Sequence, residues 1–181
     1  MVTNYHVVQG TVEIAVVVPN REASGRSKPK PYEARVLKTD PCYDLALLSI
    51  PLKTPEYLRF ADDQDIEVGE EVRAIGNPQG LGLSVSKGIV SAVRTMKEIG
   101  FKDMVLSECA HLSGRTIEGT TWIQTDAPIN PGNSGGPLLN KKNEIIGINT
   151  VIVSESGGSE GMGFALHVKH VKKFVGSYAK P

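Results

Sequence analysis

The feature that most constrains this chain is a succession of short β-type segments, cut by turn residues and closed by one helical stretch. Residues 11–19 are rich in β-branched side chains, and 20–31 form a polar loop holding Gly and Pro. Residues 32–39 and 45–51 alternate or run apolar, as strands do. Residues 72–76 predict another strand, ending at the turn Gly76-Asn77-Pro78, and 83–93 predict a long one. Residues 121–125, 138–140, 145–153 and 163–166 complete the set. Residues 95–119 are less regular and predict an extended loop with room for a short helix. Residues 154–161 are Gly/Ser-rich and predict a mobile loop. In 167–178, Val168, Val171, Phe174, Val175 and Tyr178 fall three to four apart on one helical stripe. The class is all-β, sandwich or barrel, with a C-terminal α-helix; periodicity alone does not separate the two.

Length and charge narrow the function. The 181 residues, 40% of them hydrophobic, suffice for one domain or two small lobes with a real core. Lys+Arg and Asp+Glu are both 20, so no nucleic acid or anionic membrane is expected as partner. Lys28 and Lys30 are broken up by prolines and read as a solvated loop. Cys42 and Cys109 are too few for a disulfide framework and lack metal-ligand spacing. Free thiols are the expectation, with a single bridge left open because sequence does not give distance. No apolar run approaches the roughly 20 residues that span a bilayer, and no signal peptide is visible.

The strongest chemical signal is Gly132-Asn133-Ser134-Gly135-Gly136-Pro137-Leu138. Acyl transfer needs a hydroxyl with small neighbours, so that a carbonyl can approach Oγ and backbone N–H groups can face the developing oxyanion. The candidate donors are the N–H groups of Gly132 and Ser134. An ordinary serine in a glycine-rich turn is the competing reading. Serine also needs a base. Of the histidines, His167 and His170 fall on the terminal helix and His111 in the irregular insert, and all three are expected to be bland. His6, in Thr3-Asn4-Tyr5-His6-Val7-Val8, could by itself be a core histidine. An acid must then fix the imidazole tautomer. Asp44 opens the apolar run Leu45-Ala46-Leu47-Leu48, where a carboxylate needs a partner, although strand-start aspartates are common. Asp40, before Pro41, reads as a turn residue.

The order His6, Asp44, Ser134 is the chymotrypsin order. In that order the motifs resemble those of HtrA (Do-like, DegP-type) serine proteases. Thr3-Asn4-Tyr5-His6-Val7-Val8 resembles the family's histidine motif. Thr39-Asp40-Pro41 with Asp44-Leu45-Ala46-Leu47-Leu48 resembles its aspartate motif. Ala74-Ile75-Gly76-Asn77-Pro78 and Gly88-Ile89-Val90-Ser91-Ala92 resemble two further segments. Residues 123–138, around Ser134, are similar nearly throughout, and Gly147-Ile148-Asn149-Thr150 and Gly163-Phe164-Ala165 follow. The resemblance spans about residues 3–175.

It implies a trypsin-like double β-barrel with the triad in the cleft between the barrels: Ser134 the nucleophile, His6 the base, Asp44 its orienter. The chain is expected to be one protease domain over 1–181. About 1–93 would hold the first barrel and the start of the second, and about 94–181 the second barrel and terminal helix. The strands that precede the histidine motif in the family are not seen before His6, so an incomplete first barrel is expected, and no PDZ domain follows. No metal or cofactor is implied. Substrates would be unfolded proteins or peptides, and a homo-oligomer, a trimer by family resemblance, is possible. The family points to a periplasmic, extracytoplasmic or organellar site. Ile148, Asn149 and Thr150 would pair with the substrate backbone, and Pro128, Ile129 and residues 150–152 would line the specificity pocket. Pro128 stands where a trypsin-like enzyme has an acid, so cleavage is expected after small or medium aliphatic residues. Asn133 removes the aspartate used by trypsin-type zymogens, so activity would depend on the order of the serine loop, 154–161 and 95–119. A relative that binds peptides without cutting them is the competing function; a hydrolase of small esters fits the motif order less well.

Overall fold

The computed structural model describes residues 1–18, 30–53, 56–78, 82–100, 109, 117–152 and 161–179. Two sheets carry the architecture. The first is open, in the order β1-β4-β3-β2, from β1 (Val2–Thr3), β2 (Ile14–Val18), β3 (Lys30–Asp40) and β4 (Leu45–Ser49), all paired antiparallel. The second closes into a barrel, β10-β7-β6-β5-β8-β9. Its strands are β5 (Glu71–Gly76), β6 (Ser84–Thr95), β7 (Thr121–Thr125), β8 (Pro137–Leu139), β9 (Ile145–Ile152) and β10 (Gly163–His167). A short α1 (Met96–Ile99) follows β6, α2 (Val168–Val175) follows β10, and a 3₁₀ turn (Gly176–Ala179) ends the described chain. This is the trypsin-like arrangement the resemblance implied, a closed barrel beside a curled partial one with a terminal helix.

The period of two along β4 shows how one strand serves two cores. Leu45 and Leu47 face a cluster shared with Trp122, Ile148, Leu166 and Phe174, which joins the first sheet to the barrel and to α2. Ala46 and Leu48 face the other way, against Val8 and Ala34 inside the first sheet. The barrel has its own filling, including Val72, Val90, Ile123, Leu138 and Ile146. Lys38 ties the sheet to the helix, donating 2.9 Å to the Phe174 carbonyl, where the negative end of the helix dipole favours a cation.

Three expectations change here. The long strand β6 runs on to Thr95, and α1 follows it with no gap, capped by Thr95 and Glu98. The cysteines are not free: Cys42 and Cys109 form a disulfide, 67 residues apart in sequence, with Cα atoms 4.6 Å apart. The fold brings the β3–β4 turn against Cys109, and both residues are buried in the shared core. Closing a loop of that length removes about 4 kcal/mol of unfolded-state entropy in the chain-entropy model. Finally, His167 is the buried N-cap of α2, its Nδ1 accepting from Lys169 N–H at 3.2 Å. His170 is half-buried against the Tyr43 ring, its Nε2 accepting from Thr121 N–H at 2.9 Å. Neither is bland, because the apolar stripe of α2 turns its flanking histidines into the protein. Residues 154–160 and 101–108, expected to be mobile, lie outside the described residues, as does His111.

Candidate functional site

The first half of the site is built by a turn. After β1 the chain curls through Tyr5–Gln9, with Val8 N–H and Gln9 N–H both donating to the Tyr5 carbonyl. That turn presents His6 at the surface, its side chain 48% exposed. A second turn, residues 41–44, presents Asp44. The Asp40 carboxylate shapes it, accepting the N–H groups of Cys42 (3.1 Å) and Tyr43 (3.3 Å). Asp44 closes the turn in the left-handed region at φ 50°, a conformation aspartate tolerates better than most residues. Its carbonyl accepts Tyr5 N–H at 3.0 Å, and its carboxylate turns to His6.

That contact is two-pronged. Asp44 Oδ1 accepts the His6 backbone N–H at 2.8 Å, and Oδ2 meets His6 Nδ1 at 2.6 Å. A carboxylate only accepts, so Nδ1 carries the proton and Nε2 is left with a lone pair. The hydrogen bond to Asp44 raises the His6 pKa above its ordinary value, against a lowering by burial; the charge of Asp44 adds to the rise.

Ser134 comes from the turn between β7 and β8. Gly132 has φ 101°, and a Cβ there would stand 2.5 Å from the Asn77 carbonyl oxygen, so only glycine fits. Asn133 is buried and tethered through Nδ2 to the Pro128 carbonyl at 3.3 Å. The Ser134 hydroxyl donates to the Thr150 carbonyl at 3.4 Å. In this state His6 bonds to Asp44 and Ser134 to Thr150, with no hydrogen bond between His6 and Ser134. Among the described residues, neither Gly132 N–H nor Ser134 N–H donates a hydrogen bond, so two donors beside the nucleophile are unspent.

The other expected site residues sit as follows. Pro128 is exposed, and its carbonyl accepts from Ser86 Oγ at 2.7 Å. Ile129 is buried in the barrel core beneath Gly163. Ile148 points into the core shared by the two sheets. Asn149 is fully buried, its Nδ2 donating to the Pro137 carbonyl at 3.1 Å. Thr150 Oγ1 donates to the Ile148 carbonyl at 2.9 Å. The Asn149 backbone is spent inside the fold, its N–H donating to the Gly136 carbonyl and its carbonyl accepting from Gly135 N–H, both at 2.9 Å. β9 pairs with β8 only as far as Ile148, and beyond Asn149 it pairs with β10 alone among the described residues. Asn4, in the histidine motif, is buried between Asp44 and Thr150 and bonds to both, a contact the sequence does not show. A polar residue enclosed by β-type neighbours was the only signal for it.

A family model described as a trypsin-like peptidase domain matches residues 1–148. The magnetosome formation protease MamE of Paramagnetospirillum magneticum is 40% identical over 176 residues, covering 97% of this chain and 21% of that protein. A probable periplasmic serine endoprotease, DegP-like, of Pseudomonas putida is 39% identical over 171 residues, covering 93% of this chain and 30% of that protein. The structure of the HtrA-type protease AlgW with decapeptide superposes with TM-score 0.74 at 37% identity, covering 93% of this chain and 45% of that one. AlgW with tripeptide superposes with TM-score 0.76 at 36% identity, covering 99% and 52%. The chain thus spans about a fifth to a third of the length of the curated relatives it matches.

Proposed function

The chain belongs to the trypsin-like peptidase domain family, and from that premise we propose that it is an HtrA-type serine endopeptidase that cuts unfolded or misfolded proteins. The observation that carries this reading is the His6 ring, held by Asp44 at 2.6 Å with Nε2 left to accept a proton, while Asp44 is linked through Asn4 to Thr150, whose carbonyl receives the Ser134 hydroxyl. In the proposed reaction the Ser134 hydroxyl turns from the Thr150 carbonyl toward His6. Nε2 takes its proton as Oγ attacks the scissile carbonyl. Negative charge developing on the carbonyl oxygen meets the unspent N–H groups of Gly132 and Ser134; each such donor is worth about 10²–10³ in rate. The C–N bond breaks as His6 returns the proton to the leaving amine. Water, deprotonated by the same nitrogen, then releases the acyl group.

The edge of β9 beyond Asn149, unpaired on the β8 side among the described residues, would pair with an extended substrate by backbone hydrogen bonds, which suits unfolded chains of varied sequence. With uncharged Pro128 and Ile129 at the expected pocket, cleavage would follow small or medium aliphatic residues. The relatives described as periplasmic support an extracytoplasmic site of action, and no helix among the described residues is long and apolar enough to cross a membrane. The test is digestion of reduced, unfolded casein. Cleavage by the native chain, lost in Ser134→Ala, is the expected result. One observation favours a second reading, a peptide-binding relative that does not cut: the Ser134 hydroxyl is engaged by Thr150 and not by His6. Casein left intact by the native chain would select that reading.

A further inference from the structure

We propose that Asn4 is a positioning residue of this reaction, a strut that fixes the distance between the base and the nucleophile by bonding Asp44 to Thr150. The inference rests on the protease reading above. Asn4 is fully buried, one residue past β1 and two before His6. Its Nδ2 spends both hydrogens, one on the Asp44 carbonyl at 2.8 Å and one on Thr150 Oγ1 at 3.1 Å. The amide orientation is fixed chemically, because a carbonyl oxygen can only accept. Thr150 Oγ1 in turn donates to the Ile148 carbonyl, so it can take the Asn4 hydrogen only as an acceptor. Asn4 therefore donates in both directions, to the barrel strand β9 through Thr150 and to the turn that carries Asp44, and joins the two.

Each end of that chain touches one half of the site. Thr150 also supplies the carbonyl that receives the Ser134 hydroxyl. Asp44 holds His6 by both carboxylate oxygens. No other side-chain hydrogen bond among the described residues joins these two halves so directly. Asn4 Oδ1, by contrast, is buried and has no partner among the described residues. A buried amide with an orphan acceptor is a poorer filler than an apolar side chain, so the two Nδ2 bonds are what it contributes. There is no slack for the halves to settle elsewhere: a Cβ on Gly135 would overlap Thr3 Oγ1 and stand 3.0 Å from Asn4 N.

The test is the rate of inactivation by a fluorophosphonate, resolved into reversible binding (KI) and the covalent step (kinact). Small misplacement of reacting groups costs up to about 100-fold, so Asn4→Ala should lower kinact about 10- to 100-fold with KI nearly unchanged. Thr150→Val, which removes the acceptor, should do the same, and Thr150→Ser, which restores it, should react severalfold faster than Thr150→Val. The double variant Asn4→Ala/Thr150→Val should be no slower than the slower single one, since both break one chain. A native-like kinact in Asn4→Ala, or multiplied losses in the double variant, overturns the proposal. If Asn4→Ala does not unfold cooperatively, the Thr150 pair decides: Thr150→Val and Thr150→Ser reacting equally fast overturns it. A native chain that takes no label at all removes the protease reading, and this inference with it.

Discussion

A histidine with one ring nitrogen committed to a carboxylate has one nitrogen left to accept a proton, and its pH behaviour follows from that. His6 must be neutral to act as a base, while the Asp44 hydrogen bond favours its charged form. The rate constant kcat/KM should therefore rise with pH through a midpoint above 6.5, the ordinary histidine value. Asp44→Asn removes both contributions that raise the pKa. Its pH profile should shift downward while the plateau falls by about 10⁴. A profile with the same midpoint in Asp44→Asn would show that the rate-limiting base is another group. At this scale the sequence was informative where chemistry restricts residue type. A serine in a glycine-rich turn, a histidine and a strand-opening acid, taken together in chymotrypsin order, are what single out His6, Asp44 and Ser134 as candidates. Asn4 was not legible, because its role depends on Thr150 lying beside it across 146 positions. The pairing of Cys42 with Cys109 was hidden for the same reason.

At the scale of elements, strands were readable because β-branched runs and turn residues act locally. Thr121–Thr125 appears with the predicted ends, and β9 and β10 within one residue. The two-residue β1 escaped because it is too short to show a period, and it exists only through its pairing with β4. Helix α2 shows what the stripe predicts and what it does not. Val168, Val171, Phe174 and Val175 are buried as expected, but so is the N-cap His167. Burial, first among the causes, lowers the pKa of His167 and His170 to about 4. Both are neutral acceptors of backbone N–H groups in the folded chain, whereas unfolded histidine binds a proton near 6.5. Between those values the unfolded state binds more protons, so stability falls as pH drops from 6.5 toward 4. His6 acts in the opposite sense: its raised pKa favours the fold below 6.5, but it is one half-exposed group against two. The thermal midpoint should therefore fall between pH 7 and pH 5, and His170→Gln, which keeps an acceptor for Thr121, should flatten the fall. An unchanged slope in that variant would assign the acid sensitivity elsewhere.

At the scale of the whole molecule, two sheets of different completeness meet along one apolar interface. The sequence favoured no choice between sandwich and barrel, since alternation reports which residues face inward but not whether a sheet closes. The resemblance supplied that choice, and the closed barrel beside an open sheet agrees with it. Closure matters for the chemistry. The barrel fixes the serine turn through Gly132 and Asn133, the open sheet carries His6 and Asp44, and the shared core around Trp122 and Leu47 holds the two in register. The proposed reaction would therefore need both sheets, with each of its three side chains drawn from a different turn. Peptide mapping after reaction with a fluorophosphonate tests this most directly. One adduct per chain is predicted, on Ser134 Oγ, absent in Ser134→Ala and formed orders of magnitude more slowly in His6→Ala. An adduct that persists in Ser134→Ala, or one formed equally fast without the His6 imidazole, would contradict the account.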